Sequence, residues 1–336
     1  MPQITALMST YNSAHHVKET IDSIISQTYP DFEFLIIDDG STDNTVEVIQ
    51  QYNDQRIRLI QNKENKGVGA CLNQALKLIN TPYIAKVDSD DISHPERFAK
   101  QLQYMQQNPT LDIIKSYFEY FPDTPEVEQS ERYKQYKAEK EKEHNAIDTP
   151  ELIEVNLLRW SCVIHATYFA RSLAIINLGY PDYRVGEDYA LFYSAVKKNN
   201  KIGCIRENLV RVRVSDYSTT TISDAAKFYS HSVVNIKINE IIKLHKTHGA
   251  LWIYGTGGLG IESCRYLINL GFVIRGFLDR HVKPPILING ELLPVKDIKT
   301  QKTAGIIIAA QPVRMEIKTK LERRALIEHE DFLILA

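Results

Sequence analysis

Two short apolar runs and one patterned segment in this chain stop at carboxylates, and that pattern narrows the folds open to it. Phe34-Leu35-Ile36-Ile37 ends at Asp38-Asp39-Gly40-Ser41, Tyr83-Ile84-Ala85-Lys86-Val87 ends at Asp88-Ser89-Asp90-Asp91, and a patterned segment closing at Val185-Gly186 ends at Glu187-Asp188. Runs of this length suit buried strands. Ile4 to Met8 and Ile57 to Gln61 read as two more. Between them, a helix over about 15–27 would place Val17, Ile21, Ile24 and Ile25 on one face. Ser41-Thr42-Asp43-Asn44 offers N-cap chemistry to a second helix, and Gly67-Val68-Gly69 opens a third that runs to Ile79. Alternation of this kind over residues 3–115 predicts a doubly wound α/β sheet, with ligands outside the strand C-termini. The carboxylates would then converge on one edge.

At 336 residues the chain suits two domains. A formal net charge of -2 advertises no nucleic-acid partner. Cys71, Cys162, Cys204 and Cys264 lie far apart without a CxxC pair, which argues against structural zinc and fits a reducing compartment. The first residues lack a cationic leader and read as a strand, and no run approaches 18 apolar residues. The expectation is a cytoplasmic protein. Peripheral contact with the inner face of a membrane, and self-association, stay compatible with it.

Regular patterning fails over 123–146, where Arg132 to Glu143 is dense in Lys and Glu. A solvated helix is the plain reading and a flap over an acceptor the sharper one. The pattern resumes at Pro150, giving a first domain over 1–222, a helical linker over 223–249 and a second domain over 250–336. In the last, Leu251-Trp252-Ile253-Tyr254 leads into Gly255-x-Gly257-x-x-Gly260, with Asp279 about twenty residues on. This fits a dinucleotide-binding fingerprint, although about 87 residues are few for a full two-half fold. A small Rossmann-like docking module is the first reading, and Gly255, Gly257, Gly260 and Asp279 would form its nucleotide site if it has one.

In Asp88-Ser89-Asp90, carboxylates at i and i+2 after a strand can reach one hard cation, Mg²⁺ or Mn²⁺, with substrate phosphates filling the remaining positions. Asp39 can accept the imide N–H of uracil or thymine, or the N1–H of guanine, whereas cytosine presents an acceptor there and would leave the carboxylate unpaired. Glu187-Asp188 opens a helix, and Asp188 is placed to act as a general base on a hydroxyl.

Together these residues resemble the family 2 glycosyltransferases over about residues 3–215. Thr10-Tyr11-Asn12 looks like the opening nucleotide loop, and Asp38-Asp39-Gly40-Ser41 like the base-binding turn. Asn65-Lys66-Gly67-Val68-Gly69 looks like the segment bordering the nucleotide, and Asp88-Ser89-Asp90 like the metal-binding DxD motif. His165-Ala166-Thr167 followed by Phe169-Ala170-Arg171 is similar to the stretch before the acceptor region, and Gly179-Tyr180, then Glu187-Asp188-Tyr189, resemble the approach to the catalytic base. The resemblance implies a GT-A type doubly wound mixed sheet and inversion in a single displacement. It implies donor contacts from Thr10, Tyr11, Asn12, Asp39, Gly67 and Asp88, metal ligation by Asp90 and Asp88, His165 on the acceptor side, and Asp188 with Glu187 at the chemistry. One departure stands out. Where many relatives carry a histidine, this chain reads Val212-Arg213-Val214-Ser215-Asp216-Tyr217, so Asp216 replaces it, metal binding weakens, or Arg213 takes diphosphate charge.

The expected activity is transfer of a sugar from a nucleotide-sugar donor, UDP-linked, to a glycan or lipid-linked acceptor in surface polysaccharide synthesis. A metal-dependent nucleotidyl- or phosphoryl-transfer enzyme and a non-catalytic sugar-nucleotide-binding protein are the competing readings.

Overall fold

The computed structural model describes residues 2–216, 224–299 and 304–336. The chain divides into two compact units, residues 1–218 and 219–336. The boundary expected at 222, and Tyr217, lie outside the described residues.

The first unit opens with β1 (Ile4–Thr10), α1 (Val17–Ile25), β2 (Phe32–Asp38), α2 (Thr45–Gln50), β3 (Ile57–Gln61), α3 (Val68–Leu76) and β4 (Tyr83–Asp88). It continues through β5 (Ile92–Ser93), α4 (Arg97–Gln107) and β6 (Ile113–Pro122). The charged stretch follows as α5 (Pro125–Gln129), α6 (Glu131–Gln135), a π-helical turn (Tyr136–Lys140) and α7 (Glu141–Asn145). Then come α8 (Pro150–Leu157), β7 (Phe169–Arg171), α9 (Ser172–Leu178), α10 (Glu187–Lys197) and β8 (Ile202–Val214).

The sheet order is β3-β2-β1-β4-β7-β6-β8-β5. β1 to β4 are mutually parallel, β7 runs against both β4 and β6, and β8 runs parallel to β6. Two reversals restore the direction, so β6 and β8 end at the same edge as β1, β2 and β4. Successive residues of β1 feed opposite cores, as the two-residue repeat of a strand requires. Ile4, Ala6 and Met8 pack with Val17, Ile21 and Ile24 of α1 and Phe98 of α4, while Leu7 packs with Leu72 of α3 and Leu191 and Phe192 of α10. The charged insertion is helical. It lays Val127, Tyr133 and Tyr136 on Phe118 and Tyr120 of β6.

The second unit comprises α11 (Ala225–Ile236), α12 (Ile238–His248), β9 (Leu251–Tyr254), α13 (Gly258–Asn269), β10 (Ile274–Asp279), β11 (Lys283–Ile288), β12 (Glu291–Asp297), β13 (Ile306–Ile308), α14 (Arg314–Glu322) and β14 (Phe332–Ile334). Its sheet order is β11-β12-β10-β9-β13-β14. All neighbours are parallel except the β11–β12 hairpin. The segment read as a linker forms two helices that pack within this unit. His231 stacks on Tyr266 of α13 with ring centroids 4.0 Å apart, and the buried Lys237 ammonium donates to the Ile334 carbonyl at 2.6 Å.

Candidate active site

Strand register brings the first two acidic clusters together. Thr10 pairs with Asp38 and Ser9 with Asp88, so the ends of β2, β1 and β4 stand side by side. Asp38 is spent on its own turn, accepting from the Ser41 hydroxyl at 2.5 Å and the Ser41 amide at 3.1 Å. Asn12 has φ 49 and ties the two loops: its amide donates to Ser41 Oγ, and its Oδ1 accepts from the Thr42 amide. Tyr11, beside it, is 45% exposed. Thr10 is buried, and its Oγ1 has no hydrogen-bond partner among the described residues, an orphan of the kind that calls for a ligand or water.

Asp39 is buried and organises the loop that follows β3. Its Oδ1 accepts from the Lys66 amide at 2.9 Å and from Asn62 Nδ2 at 3.2 Å, and its Oδ2 from the Gly67 amide at 2.8 Å. A carboxylate offers about four lone-pair positions, so Oδ2 is the less committed oxygen. Gly67 has φ 90, a left-handed conformation suited to glycine. At Gly69 a Cβ would lie 2.7 Å from the Pro181 carbonyl oxygen. That close approach carries the 180–187 loop against α3. Asn73 fixes it further, donating to the Tyr180 carbonyl and accepting from the Tyr180 amide, each at 2.8 Å.

The second cluster is dominated by a cation the sequence did not flag. Lys86, fully buried in β4, pairs with Asp88 and donates to the Val87 carbonyl at 2.8 Å. Burial alone would raise the Asp88 carboxyl, but the charge and hydrogen bond of Lys86, together with His165 and Arg97, outweigh it and hold the group below its ordinary value. Asp90 has no such partner, and burial together with the Asp88 charge pushes it up to about 6. Burial, Asp90 and Asp88 raise Asp91 as well, even though its Oδ1 accepts from the Arg213 amide at 2.8 Å. Asp88 and Asp90 suit Mg²⁺ or Mn²⁺, which commonly take one or two protein carboxylates with substrate phosphates. Among the described residues no three His, Cys, Asp or Glu side chains gather into a ready cage.

His165 lies behind Asp88, its Nδ1 4.0 Å from Asp88 Oδ1. Its Nε2 meets the Tyr180 hydroxyl at 3.1 Å, and that hydroxyl meets Tyr168 at 2.7 Å. Burial, then Lys86, drive the imidazole down to about 3, so it is neutral. Arg97 braces the same region from a fully buried position, with Nη2 2.8 Å from the Lys86 carbonyl and Nη1 3.0 Å from Ser93 Oγ.

Arg213 is committed elsewhere than to a diphosphate. Its guanidinium reaches the Asp90 carbonyl at 2.9 Å, Asp123 at 3.2 Å and Glu19 at 2.5 Å, and its side chain is only 5% exposed. Asp216 is exposed and lies 3.8 Å from Arg132.

The third cluster sits in the first turn of α10, after Gly186 in the left-handed conformation. Burial, then the Asp188 charge, lift Glu187 to about 8. Burial, aided by the Asp88 charge, lifts Asp188 to about 6, although Asp188 Oδ1 accepts from the Tyr189 amide at 2.7 Å. Asp88 thus raises both acids of α10, which couples the second and third clusters electrostatically. In the second unit the glycines and Asp279 also come together. A Cβ on Gly260 would lie 2.1 Å from the Gly255 carbonyl oxygen, and Asp279 accepts from Thr256 at 2.6 Å and Lys283 at 2.7 Å.

The family profile for glycosyl transferase family 2 matches residues 5–166. An uncharacterized glycosyltransferase, MJ1057, of Methanocaldococcus jannaschii is 31% identical over 63% of this chain and 71% of its own length. A UDP-Glc:alpha-D-GlcNAc-diphosphoundecaprenol beta-1,3-glucosyltransferase, WfaP, of Escherichia coli is 27% identical over 79% of this chain and 96% of its own. Among solved structures, S. aureus TarS 1-349 in complex with UDP-GlcNAc aligns with a TM-score of 0.55 and 18% identity, over 72% of this chain and 67% of that one. The GT-A-like mixed sheet is thus shared.

Proposed function

The chain belongs to the family 2 glycosyltransferases, and from that premise we propose that it moves a sugar, with inversion, from a UDP-linked donor to a hydroxyl of a glycan or lipid-linked acceptor in surface polysaccharide synthesis. One observation carries the reading: carboxylates of three clusters gather at one end of the sheet, and four of them, Asp90, Asp91, Glu187 and Asp188, are raised. Such a cluster is an incomplete site, shaped for a cation and a polyphosphate.

Each residue has a task in that reaction. Exposed Tyr11 offers a face for the base, Asp39 Oδ2 an acceptor for the uracil imide, and the Gly67 turn a close backbone approach. Asp88, its charge held by Lys86, meets the ribose or phosphate side. Asp90, with Asp88, would hold Mg²⁺ or Mn²⁺, and the bound ion would neutralise charge on the departing diphosphate. Asp188 takes the acceptor proton. At neutral pH a carboxyl near 6 is mostly ionised and one near 8 mostly protonated, which favours Asp188 over Glu187 as the base. The relative WfaP, by its name a glucosyltransferase from UDP-Glc onto a diphosphoundecaprenol-linked sugar, supports the donor and acceptor classes. With an acceptor of that class, the reaction would run at the inner face of a membrane.

Incubation with UDP-glucose, UDP-galactose and their N-acetyl forms with Mn²⁺ tests the proposal. Slow release of UDP is the expected result. Binding without turnover would favour a sensor, and transfer of UMP a nucleotidyltransferase.

A further inference from the structure

Resting on the glycosyl-transfer reading, we propose that the charged insertion carries a binding site for a phosphate or diphosphate group of the acceptor, built from Arg132, Tyr136 and Lys140. These residues recur every four positions and so share one face of the helical stretch. The Arg132 guanidinium lies 5.3 Å and the Lys140 ammonium 4.1 Å from the centre of the Tyr136 ring. Lys137, on another face, is tied to Glu141 at 3.0 Å and Glu119 at 3.6 Å. Burial would raise the Tyr136 phenol, yet the charges of Lys140 and Arg132, and the hydrogen bonds both make to its oxygen, bring it below its ordinary value. The same five residues, Tyr136–Lys140, form the π-helical turn, a distortion frequent at functional sites.

Anchoring places this cluster beside the metal-binding turn. β6, which leads into the insertion, and β8 end at the edge that carries Asp88. Arg132 Nη1 donates to the Ser215 carbonyl at 3.0 Å, two residues beyond Arg213. Arg213 in turn holds the Asp90 carbonyl and, through Asp123, the start of the insertion. Tyr120 of β6 bridges the two, its ring 5.3 Å from that of Tyr136 and its phenol raised by burial, then by Tyr136 and the Asp91 charge. A guanidinium and an ammonium beside an aromatic ring suit a phosphate with an organic substituent: the cations give charge-assisted hydrogen bonds, and the ring covers the adjoining sugar or chain. Asp216, 3.8 Å from Arg132 and exposed, is the contact such a group would replace.

Calorimetry on the full chain, with UDP and Mn²⁺ saturating the donor site, tests this with geranyl diphosphate, geraniol and inorganic pyrophosphate. Geranyl diphosphate should bind, and more tightly than the other two. Lys140→Gln touches no backbone anchor and should weaken that binding about 10-fold, the loss of one charged hydrogen bond. Arg132→Gln combined with it should weaken it further, and UDP affinity should hold in both. No binding by the wild-type chain, or an unchanged affinity in Lys140→Gln, would overturn the site. Equal affinity for inorganic pyrophosphate would overturn its assignment to an acceptor. Failure to hydrolyse any UDP-sugar would instead count against glycosyl transfer, and the geranyl diphosphate result reads independently of it.

Discussion

The two units each end parallel strands at a glycine-bearing turn and a carboxylate, yet the carboxyls at the two edges are shifted in opposite directions. In the first, Asp90, Asp91, Glu187 and Asp188 are raised above their ordinary values. In the second, burial of Asp279 is outweighed by Lys283 and Thr256, and its carboxyl is lowered. A glycine and carboxylate spacing therefore does not by itself mark a waiting site. The second edge is satisfied by its own lysine, and the first is left with surplus negative charge that only a cation or a proton can match.

The largest effect should come from Asp188, the proposed base. Asp188→Asn keeps the shape but cannot accept a proton, so transfer should fall roughly 10²–10⁴-fold, with UDP affinity unchanged by calorimetry. In the wild type, the rate should climb as pH rises through about 6, where Asp188 ionises. If Glu187→Gln is the more damaging change, the base has been misassigned.

Surplus charge also has a cost in stability. The folded-state values of Asp90, Asp188 and Glu187 lie above those of an unfolded chain. The folded state then holds more protons, and stability falls as pH rises between about 4 and 8. Without metal, the melting temperature should be higher at pH 5 than at pH 8. Asp90→Asn should raise the metal-free melting temperature at pH 8 by about 2–4 °C, for relief of roughly 1 kcal/mol, and abolish the extra stabilisation that Mn²⁺ gives with UDP. A mutant that melts lower, or that keeps the Mn²⁺ response, would remove Asp90 from the strained set.

Much of the first edge was legible because its signals are local. Apolar runs, caps and Asp pairs identify β1 to β4 and the turns after β2 and β4 without knowledge of the rest. What stayed hidden depends on contacts remote in sequence or on burial. Lys86 reads as one polar residue in a strand, and only its full burial makes it the counter-ion of Asp88. The amides that fill Asp39 come from residues 66 and 67, and Asn73 holds residue 180. Arg213 looked available for a diphosphate because nothing near it in sequence names Glu19 or Asp123. The β11–β12 hairpin carries a local signal of its own: Asn289-Gly290, both at positive φ, is a preferred two-residue hairpin turn.

The smallest effect should come from the second edge, and it decides whether the contrast holds. A Cβ added at Gly257 meets nothing within 4 Å, and φ there is in the extended region, so Gly257→Asp should leave folding intact. The new carboxylate would stand at the start of α13, where it would repel a phosphate and be tolerated by the helix dipole. If this unit is a docking module, the full-length mutant should release UDP at the wild-type rate, and titration with NAD should give no heat in either protein. Lys283→Ala would then only return Asp279 toward the carboxylate's ordinary range. NAD binding that Gly257→Asp eliminates would break the comparison, because a self-satisfied edge would have proved to be a nucleotide site after all.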